Sequence, residues 1–443
     1  MQSSYATRTT VLLSIFAALQ FALFLGYFPL AIIVTPYGDV LDWLNGFYNL
    51  PAQSLWQYLW APHNGHRLIF SKLLTVSDAK LFGGLSSPIA AVCLSLFLLA
   101  AAIALAGIRR SIANTAVRHW ATAVAVLLLF PTSSYASFAY PVNSQHMLVS
   151  VFVFVACALL ARAAGVVDES KPQRNGYFLL ALVAGVCASL AALNGLIVWP
   201  LFLWMGWALR LGRAYNFAIA ALGALVVTGF SYNYPIASET QALVSGLGDI
   251  AHIAKYLIEY HGMPWVEVGP LYWPAMVFGL AIFVLAVVSW AKGVLTPRTQ
   301  PPATIVAVAM LTFSLATAVM IAVGRHQLDL LPAHRYATFL LITFVALFVL
   351  NIPRFEGWMS NTRGRAIVVS ATLLFALGYL GQQVVVGQFA AQRANTFAQY
   401  EKDFLAGGRA PQATTALYFP SVNVLEERYR MLEKQRIYMF RPD

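Results

Sequence analysis

Residues 11–34 read VLLSIFAALQFALFLGYFPLAIIV, a run that contains no charged side chain. An α-helix needs about 20 consecutive apolar residues to cross the hydrocarbon core of a bilayer, so this run predicts a transmembrane helix. Similar runs recur as far as residue 385. The 443-residue chain is 60% hydrophobic and only 10% charged, whereas soluble domains carry about 25% charged residues. These features predict an all-α polytopic membrane protein.

Hydropathy divides the chain into about eleven transmembrane helices. The loops on one side hold fourteen Lys and Arg against three acids, and the loops on the other side hold six against eight acids. Because loops rich in Lys and Arg stay in the cytoplasm, we expect a bacterial inner-membrane protein with a cytoplasmic N-terminus and an external, periplasmic C-terminus. The spans are predicted at about residues 11–34, 88–108, 119–136, 145–163, 177–193, 195–209, 214–234, 272–291, 303–323, 335–350 and 366–385.

The same distribution explains the net charge of +11. The loops predicted to be cytoplasmic carry the whole excess, so the charge reflects membrane topology, and we expect no nucleic acid among the partners. The three cysteines all lie inside apolar runs and offer no metal-binding or disulfide pattern. The cytoplasmic loops are short and contain no glycine-rich phosphate-binding motif, which argues against ATP-driven transport.

The chain divides into a transmembrane domain at residues 1–385 and a small external segment at residues 386–443. We expect this segment to pack on the mouth of the bundle, with helices at Phe389–Leu405 and Val424–Lys434. The external loops of the transmembrane domain are predicted at residues 35–87, 131–144, 235–271 and 324–334.

Two stretches of the external loops are amphipathic, at residues 68–82 and 239–260. Their apolar residues recur at helical spacing, which is typical of helices that lie along a membrane interface. We predict that they wall a cavity above the bundle and contact membrane lipids. The plainer alternative is that they only cover gaps in the lipid-facing surface.

Two carboxylates, Asp39 and Asp42, follow the first span directly. Residues three apart share one face of a helix, so the carboxylates would lie together if the helix continues through them. A carboxylate at the edge of a bilayer is costly unless it has a partner or a function. It could act as a general base that takes a proton from a hydroxyl. The alternative is a helix cap or an interfacial carboxylate without a catalytic role.

The densest group of polar side chains in this loop is His63-Asn64-Gly65-His66-Arg67. A guanidinium binds phosphate through two parallel hydrogen bonds, and imidazoles add donors or move protons. We therefore predict that His63, Asn64, His66 and Arg67 bind substrate.

A divalent cation is an alternative for the same loop, because carboxylates and imidazoles together can ligate a metal. The candidate ligands are Asp39 or Asp42 with His63 or His66. Their spacing matches no zinc pattern, so we predict neither a metal nor any other cofactor.

A second polar group brackets the short external loop between the ninth and tenth spans. Arg325 and His326 begin the loop, and His334, Arg335 and Tyr336 end it. Two arginines on the external side run against the positive-inside trend. They either reach lipid headgroups or bind an anion, and we predict a second phosphate-binding site here.

These groups resemble the external site of the GT-C superfamily of integral-membrane glycosyltransferases. Members of that superfamily use polyprenyl-phosphate-linked sugars and carry an acidic residue in the first external loop, a position that Asp39 matches, with Asp42 as second choice. The resemblance implies a GT-C-like fold and inverting transfer from a polyprenyl-phosphate-sugar donor to a glycan or lipid acceptor.

More closely, the chain is similar to a group of bacterial membrane proteins with a His-Asn-x-His-Arg element, here His63–Arg67. That group also has a Gly-Arg and Arg-Tyr pair around a late external loop, here Gly324-Arg325 and Arg335-Tyr336. Its external tail carries a Tyr-Pro-like element before a closing helix, here at residues 418–420 and 424–440.

Two positions depart from this pattern, because Gly65 stands where an acidic residue is expected and His334 where a small hydroxyl residue is expected. The first departure moves the role of base toward Asp39. Two other functions remain open: a transporter or flippase for a lipid-linked or anionic solute, and a non-catalytic membrane scaffold subunit. Transport is disfavoured because ionisable residues avoid the span interiors.

Overall fold

The structure is a computed structural model that describes residues 2–49, 54–63, 66–137, 140–165, 171–234, 250–263, 271–297, 300–325, 332–408, 414, 416–417 and 422–441, with side chains from residue 11 onward. Within these ranges the chain forms sixteen α-helices and short 3-10 segments. The helices are α1 (Gln2–Ala31), α2 (Asp39–Tyr48), α3 (Leu55–Trp60), α4 (Ile69–Phe82), α5 (Ser87–Ser111), α6 (Thr115–Leu129), α7 (Ser144–Gly165), α8 (Lys171–Ala191), α9 (Val198–Ala208), α10 (Arg213–Ser231), α11 (Ile250–Gly262), α12 (Tyr272–Leu295), α13 (Pro302–Arg325), α14 (Ala337–Met359), α15 (Thr362–Leu405) and α16 (Val422–Gln435).

Nine of the described helices are long and apolar enough to cross a membrane: α1, α5, α7, α8, α10, α12, α13, α14 and α15. The prediction of an all-α chain built from membrane-length helices is therefore confirmed. The other two predicted spans fall on the shorter apolar helices α6 and α9, so the count of eleven crossings stays a prediction, as does the orientation.

Helix α6 is shorter than its predicted span because the chain leaves the helix before Pro131. Proline disfavours helix at the residue that precedes it, and a 3-10 segment, Thr132–Ser137, follows. Buried amides serve the interrupted backbone: Gln20 donates to the Phe130 carbonyl at 2.5 Å, and the Thr132 N–H donates to the Gln383 side chain at 2.5 Å. Gln20 in α1 and Gln383 in α15 thus form hydrogen bonds with backbone groups for which lipid offers no partner.

The segments predicted to be external meet at one end of the bundle, called here the polar end. The Gly38 N–H donates to the Leu417 carbonyl at 2.8 Å, and the Tyr438 N–H donates to the Gly83 carbonyl at 2.6 Å. The Ser137 hydroxyl donates to the Arg335 carbonyl at 2.7 Å. The first loop, the later loops and the C-terminal residues are therefore fastened together by backbone groups.

The first loop differs from the prediction in two ways. The first span does not continue through Asp39, because α1 ends at Ala31 and a new helix, α2, begins at Asp39. The stretch 68–82 does form a helix, α4, but this helix buries polar side chains such as Ser71, Thr75 and Asp78. It is therefore a packed element of the polar end. Of the other amphipathic stretch, residues 239–249 lie outside the described residues, and the rest belongs to α11.

The last span and the first part of the C-terminal segment form one continuous helix. Helix α15 has 44 residues and is about 66 Å long at 1.5 Å per residue. The boundary drawn at residue 385 lies inside it. The helix ends at Leu405, and Gly407 follows with a φ of +90°. The sequence placed a separate helix at Phe389–Leu405 because the residues there turn polar, but composition alone does not interrupt a helix.

A tight turn joins α8 to α9 through the 3-10 segment Leu193–Ile197. At Gly195 a Cβ atom would come within 1.9 Å of the Ala188 carbonyl oxygen. Such a contact forces backbone to move, so only glycine fits this approach.

We expect Gly195→Ala to lower the free energy of unfolding by about 1–3 kcal/mol, the usual cost of overpacking. The measurement is thermal unfolding in detergent, followed by size-exclusion chromatography. Gly176→Ala in α8 is the control, because a Cβ there meets nothing within 4 Å. Equal melting temperatures for the two variants would contradict the prediction.

Candidate active site

Asp39 lies at the start of α2 and pairs with His63. Its Oδ2 atom is 3.2 Å from Nε2 of His63, and its side chain is 40% exposed, whereas that of His63 is 19% exposed. The Trp43 ring packs edge-on against the imidazole, with centroids 5.5 Å apart. The carboxylate also lies at a helix N-terminus, where negative charge is stabilised. Asp39 is thus an accessible, oriented carboxylate with a histidine beside it.

Asp42 lies three residues further along the first turn of α2 and has a different partner. Its Oδ1 atom is 3.3 Å from Nε of Arg428 in α16, and the Arg428 side chain is only 15% exposed. This ion pair fastens the C-terminal helix to α2. The two carboxylates do share the first helical turn, but one faces His63 and the other holds the C-terminal segment.

His66 and His63 are joined through their backbones. Each N–H donates to the other residue's carbonyl, at 2.8 and 2.9 Å. The Leu193 N–H donates to Nδ1 of His66 at 3.2 Å, so the neutral ring carries its proton on Nε2. Burial, and after it the charges of His63 and Arg325, lower the pKa of His66 from 6.5 to about 4. His66 is therefore a neutral donor at physiological pH.

Arg67 has a structural role that the sequence did not indicate. It is 1% exposed, and its Nε donates to the Phe230 carbonyl at 2.9 Å. Its terminal nitrogens donate to the carbonyls of Trp60 and Tyr232. The predicted phosphate contact of Arg67 is thus wrong for this structure, because the guanidinium is buried and directed at three backbone oxygens.

Lys72, like Arg67, donates hydrogen bonds to backbone carbonyls at the C-terminal end of α3. Its Nζ atom donates to the carbonyls of Tyr58 and Ala61 at 3.1 and 2.6 Å. Burial lowers the pKa of Lys72 to about 8, and the nearby Arg67 charge adds to the effect. Cations are favoured at helix C-termini because the last carbonyls have no partner within the helix.

The second predicted group surrounds the ring of Tyr336. The guanidinium carbons of Arg325 and Arg335 lie 6.0 and 5.2 Å from the ring centroid. His146 packs edge-on against the same ring at 5.2 Å. Both arginines are only partly buried. Two guanidinium groups beside the same aromatic ring could together bind an anion, because guanidinium is suited to phosphate and carboxylate.

Tyr37 connects the two groups. Burial raises its pKa, the charges of Arg393 and Arg335 lower it, and Asp39 raises it slightly. The ring stacks on Tyr140 with centroids 4.0 Å apart, and Nη2 of Arg393 lies 3.5 Å from its hydroxyl. The charges of Asp39, Arg335 and Arg393 thus all act on the Tyr37 hydroxyl.

A cavity of about 250 Å³ opens beside Tyr37. Its polar wall includes His334, Arg393 and Asn143, and its apolar wall comes from α15 through residues such as Phe389. The cavity has both polar and apolar walls, which suits a ligand with a charged end and a hydrocarbon part.

Some predicted residues lie outside the described residues, namely Asn64 and His326, as do Gly65 and residues 418–420. Within the described ranges, no three His, Cys, Asp or Glu side chains come together as a metal site. Asp39 and His63 supply two ligand types that a divalent cation accepts, so a cation would need further ligands from substrate or water.

Sequence reasoning missed several side chains of this site: Tyr37, Trp43, Tyr140, His146, Arg393 and Arg428. None belongs to a motif, and Arg393 is more than 350 residues from Tyr37. Two features of the sequence point toward some of them. Seven of the eight histidines, His146 among them, fall on the side predicted to be external, and Tyr140 lies in the polar, uncharged loop 131–144.

No protein-family model and no curated protein sequence matches the chain.

We expect His66→Asn to reduce the sensitivity of the protein to acid. The folded-state pKa of about 4 lies below 6.5, so the unfolded chain takes up the proton first, and stability falls as the pH drops from about 6.5 toward 4. At pH 5 this loss is about 1–2 kcal/mol, and the asparagine oxygen can accept the Leu193 N–H without titrating. The measurement is unfolding at pH 7.5 and pH 5, with exposed His119→Asn as control. An unchanged acid sensitivity would overturn the assignment.

We expect Arg67→Met to destabilise the protein by about 3 kcal/mol, because one buried and two partly buried backbone carbonyls lose their donor. Thermal unfolding in detergent measures the loss. Arg354→Met, at an exposed site in α14, is the matched control and should change little. Wild-type stability of Arg67→Met would show that the three hydrogen bonds are dispensable.

Proposed function

We propose that the protein is a membrane glycosyltransferase of GT-C type, which moves a sugar from a polyprenyl-phosphate-linked donor to a glycan or lipid acceptor at the polar end. The observation that carries the proposal is the accessible Asp39 carboxylate, 3.2 Å from His63. Arg325 and Arg335, which flank a second loop of the polar end, support it as candidates for binding the donor phosphate. The protein is a bundle of apolar, membrane-length helices. A sugar donor attached to a lipid would therefore reach the site from the bilayer itself. The polar end would face the periplasm of a bacterial inner membrane.

In the proposed reaction Asp39 acts as general base. An acceptor hydroxyl attacks the anomeric carbon of the donor sugar while its proton passes to the Asp39 carboxylate. The bond from the anomeric carbon to the phosphate oxygen breaks, and that oxygen keeps the electron pair. The new glycosidic bond forms on the opposite face, so the configuration inverts.

The surrounding side chains have distinct roles in this proposal. His63 orients the carboxylate, and His66 donates to substrate through Nε2. Arg325 and Arg335 stabilise the charge that develops on the leaving phosphate, since fixed cations in a site shielded from water are most effective there. The Tyr336 ring lies within 6.0 Å of both guanidinium carbons and gives them a common contact. Asp42 remains the alternative base, although its ion pair with Arg428 favours an anchoring role.

The test compares wild type, Asp39→Asn, Asp42→Asn and Arg325→Ala in a strain that lacks its own copy of the gene. Surface glycans and lipid-linked sugars are extracted and measured by mass spectrometry. Loss of a general base costs about 10²–10⁴-fold in rate, so Asp39→Asn should fail to restore one sugar and its donor should accumulate. Asp42→Asn should retain most of the product.

Asp403→Asn is the matched control, because Asp403 is an exposed carboxylate of α15 and the substitution makes the same change of charge. Each variant is checked for folding by size-exclusion chromatography. A wild-type glycan profile from Asp39→Asn, Asp42→Asn and Arg325→Ala would sink the catalytic assignment and favour transport or scaffolding. Failure of Asp42→Asn alone would move the base to Asp42.

A further inference from the structure

A larger cavity lies between α5, α7, α13 and α14. Its volume is about 750 Å³, three times that of the cavity beside Tyr37. The mouth is at the other end of the bundle from Asp39, where α5 and α7 end and α13 begins, and it includes Arg110, Arg162 and Pro302. The interior is apolar and lined largely by small side chains such as Ala104. This cavity plays no part in the proposed reaction.

The dimensions of the cavity suit one extended hydrocarbon chain. Along α5 it extends from Phe97 to Ser111, about 21 Å at 1.5 Å per residue. One leaflet holds about 15 Å of hydrocarbon, half the bilayer core. The cavity is therefore long enough to take one acyl chain of a single leaflet.

The charged side chains that line the mouth, within the part of the chain that the structure describes, are cations. Arg110 and Arg162 are both exposed there, and the N-terminus of α13 adds the positive end of a helix dipole. Tyr177 lines the same mouth, with the Arg162 guanidinium 5.7 Å from its ring. Aromatic rings and arginines at the level of lipid headgroups are typical of phospholipid contacts.

We propose that this cavity binds one anionic phospholipid, with its phosphate group between Arg110 and Arg162 and one acyl chain inside the cavity. The site belongs to the leaflet that the sequence predicts to be cytoplasmic, where anionic headgroups attract basic residues. It lies in the other leaflet from the polar-end site and has different lining residues. Its proposed ligand contains neither a sugar nor a polyprenyl group. The binding does not depend on the proposed glycosyltransferase activity.

The experiment uses the full chain in vesicles that contain equal amounts of phosphatidylglycerol and phosphatidylcholine with identical acyl chains. After extraction in mild detergent, native mass spectrometry counts the lipid that remains bound. Each arginine near a headgroup contributes about 1 kcal/mol, equivalent to about 5-fold in affinity. We expect one retained phosphatidylglycerol in wild type, and a preference reduced about 30-fold in R110Q/R162Q.

Two further variants separate charge from space. A Cβ at Gly107 meets nothing within 4 Å, so Gly107→Phe can fill the cavity without a backbone clash and should abolish retention of both lipids. Gly378→Phe on α15 has an equally open position and lies outside the cavity lining, so it should bind as wild type does. R109Q/R118Q removes two nearby charges that do not line the cavity and should keep the preference.

Two results would overturn the proposal. The first is equal retention of the two lipids by wild type, which would mean a non-selective annular contact. The second is wild-type retention by Gly107→Phe, which would place the bound lipid elsewhere. Neither result bears on the Asp39 test, because that test measures a sugar product.

Discussion

The constraint on which this structure depends is that hydrocarbon offers no hydrogen bonds to an interrupted backbone. At two helix ends, buried side chains hydrogen-bond the backbone groups that the helix leaves without a partner. Gln20 and Gln383 do so at the end of α6, and Arg67 and Lys72 do so at the end of α3. These interactions let the chain bend at the polar end and build a site from short helices.

The same constraint separates the cations of the polar end into two kinds. Arg67 and Lys72 donate their hydrogen bonds to backbone carbonyls, and Arg428 forms an ion pair with Asp42. Arg325, Arg335 and Arg393 instead gather around the rings of Tyr336 and Tyr37. The proposed reaction assigns the donor phosphate to Arg325 and Arg335 of the second kind. It assigns the proton of the acceptor to Asp39, whose side chain is 40% exposed.

The sequence predicted the class of fold well because membrane-length apolar runs leave few alternatives. It also predicted which side chains face one end, since charge asymmetry follows topology. Individual roles were harder to predict. Arg67 was predicted to bind phosphate because a motif shows residue types but not burial. In the structure its guanidinium group donates hydrogen bonds to the carbonyls of Trp60, Phe230 and Tyr232. Arg393 was missed because its approach to Tyr37 depends on how α1 and α15 pack, which no local pattern records.

That packing has a consequence for how the protein is made. Helix α1 and the residues after it pack against α15: a Cβ at Gly387 would be 2.5 Å from the Tyr27 ring, and Thr35 donates to Glu401 at 3.1 Å. At about 5–20 residues per second, tens of seconds separate the synthesis of α1 from that of α15. The contact between Tyr37 and Arg393 can form only after α15 has been made. A chain that has not yet reached α15 therefore lacks this part of the polar end.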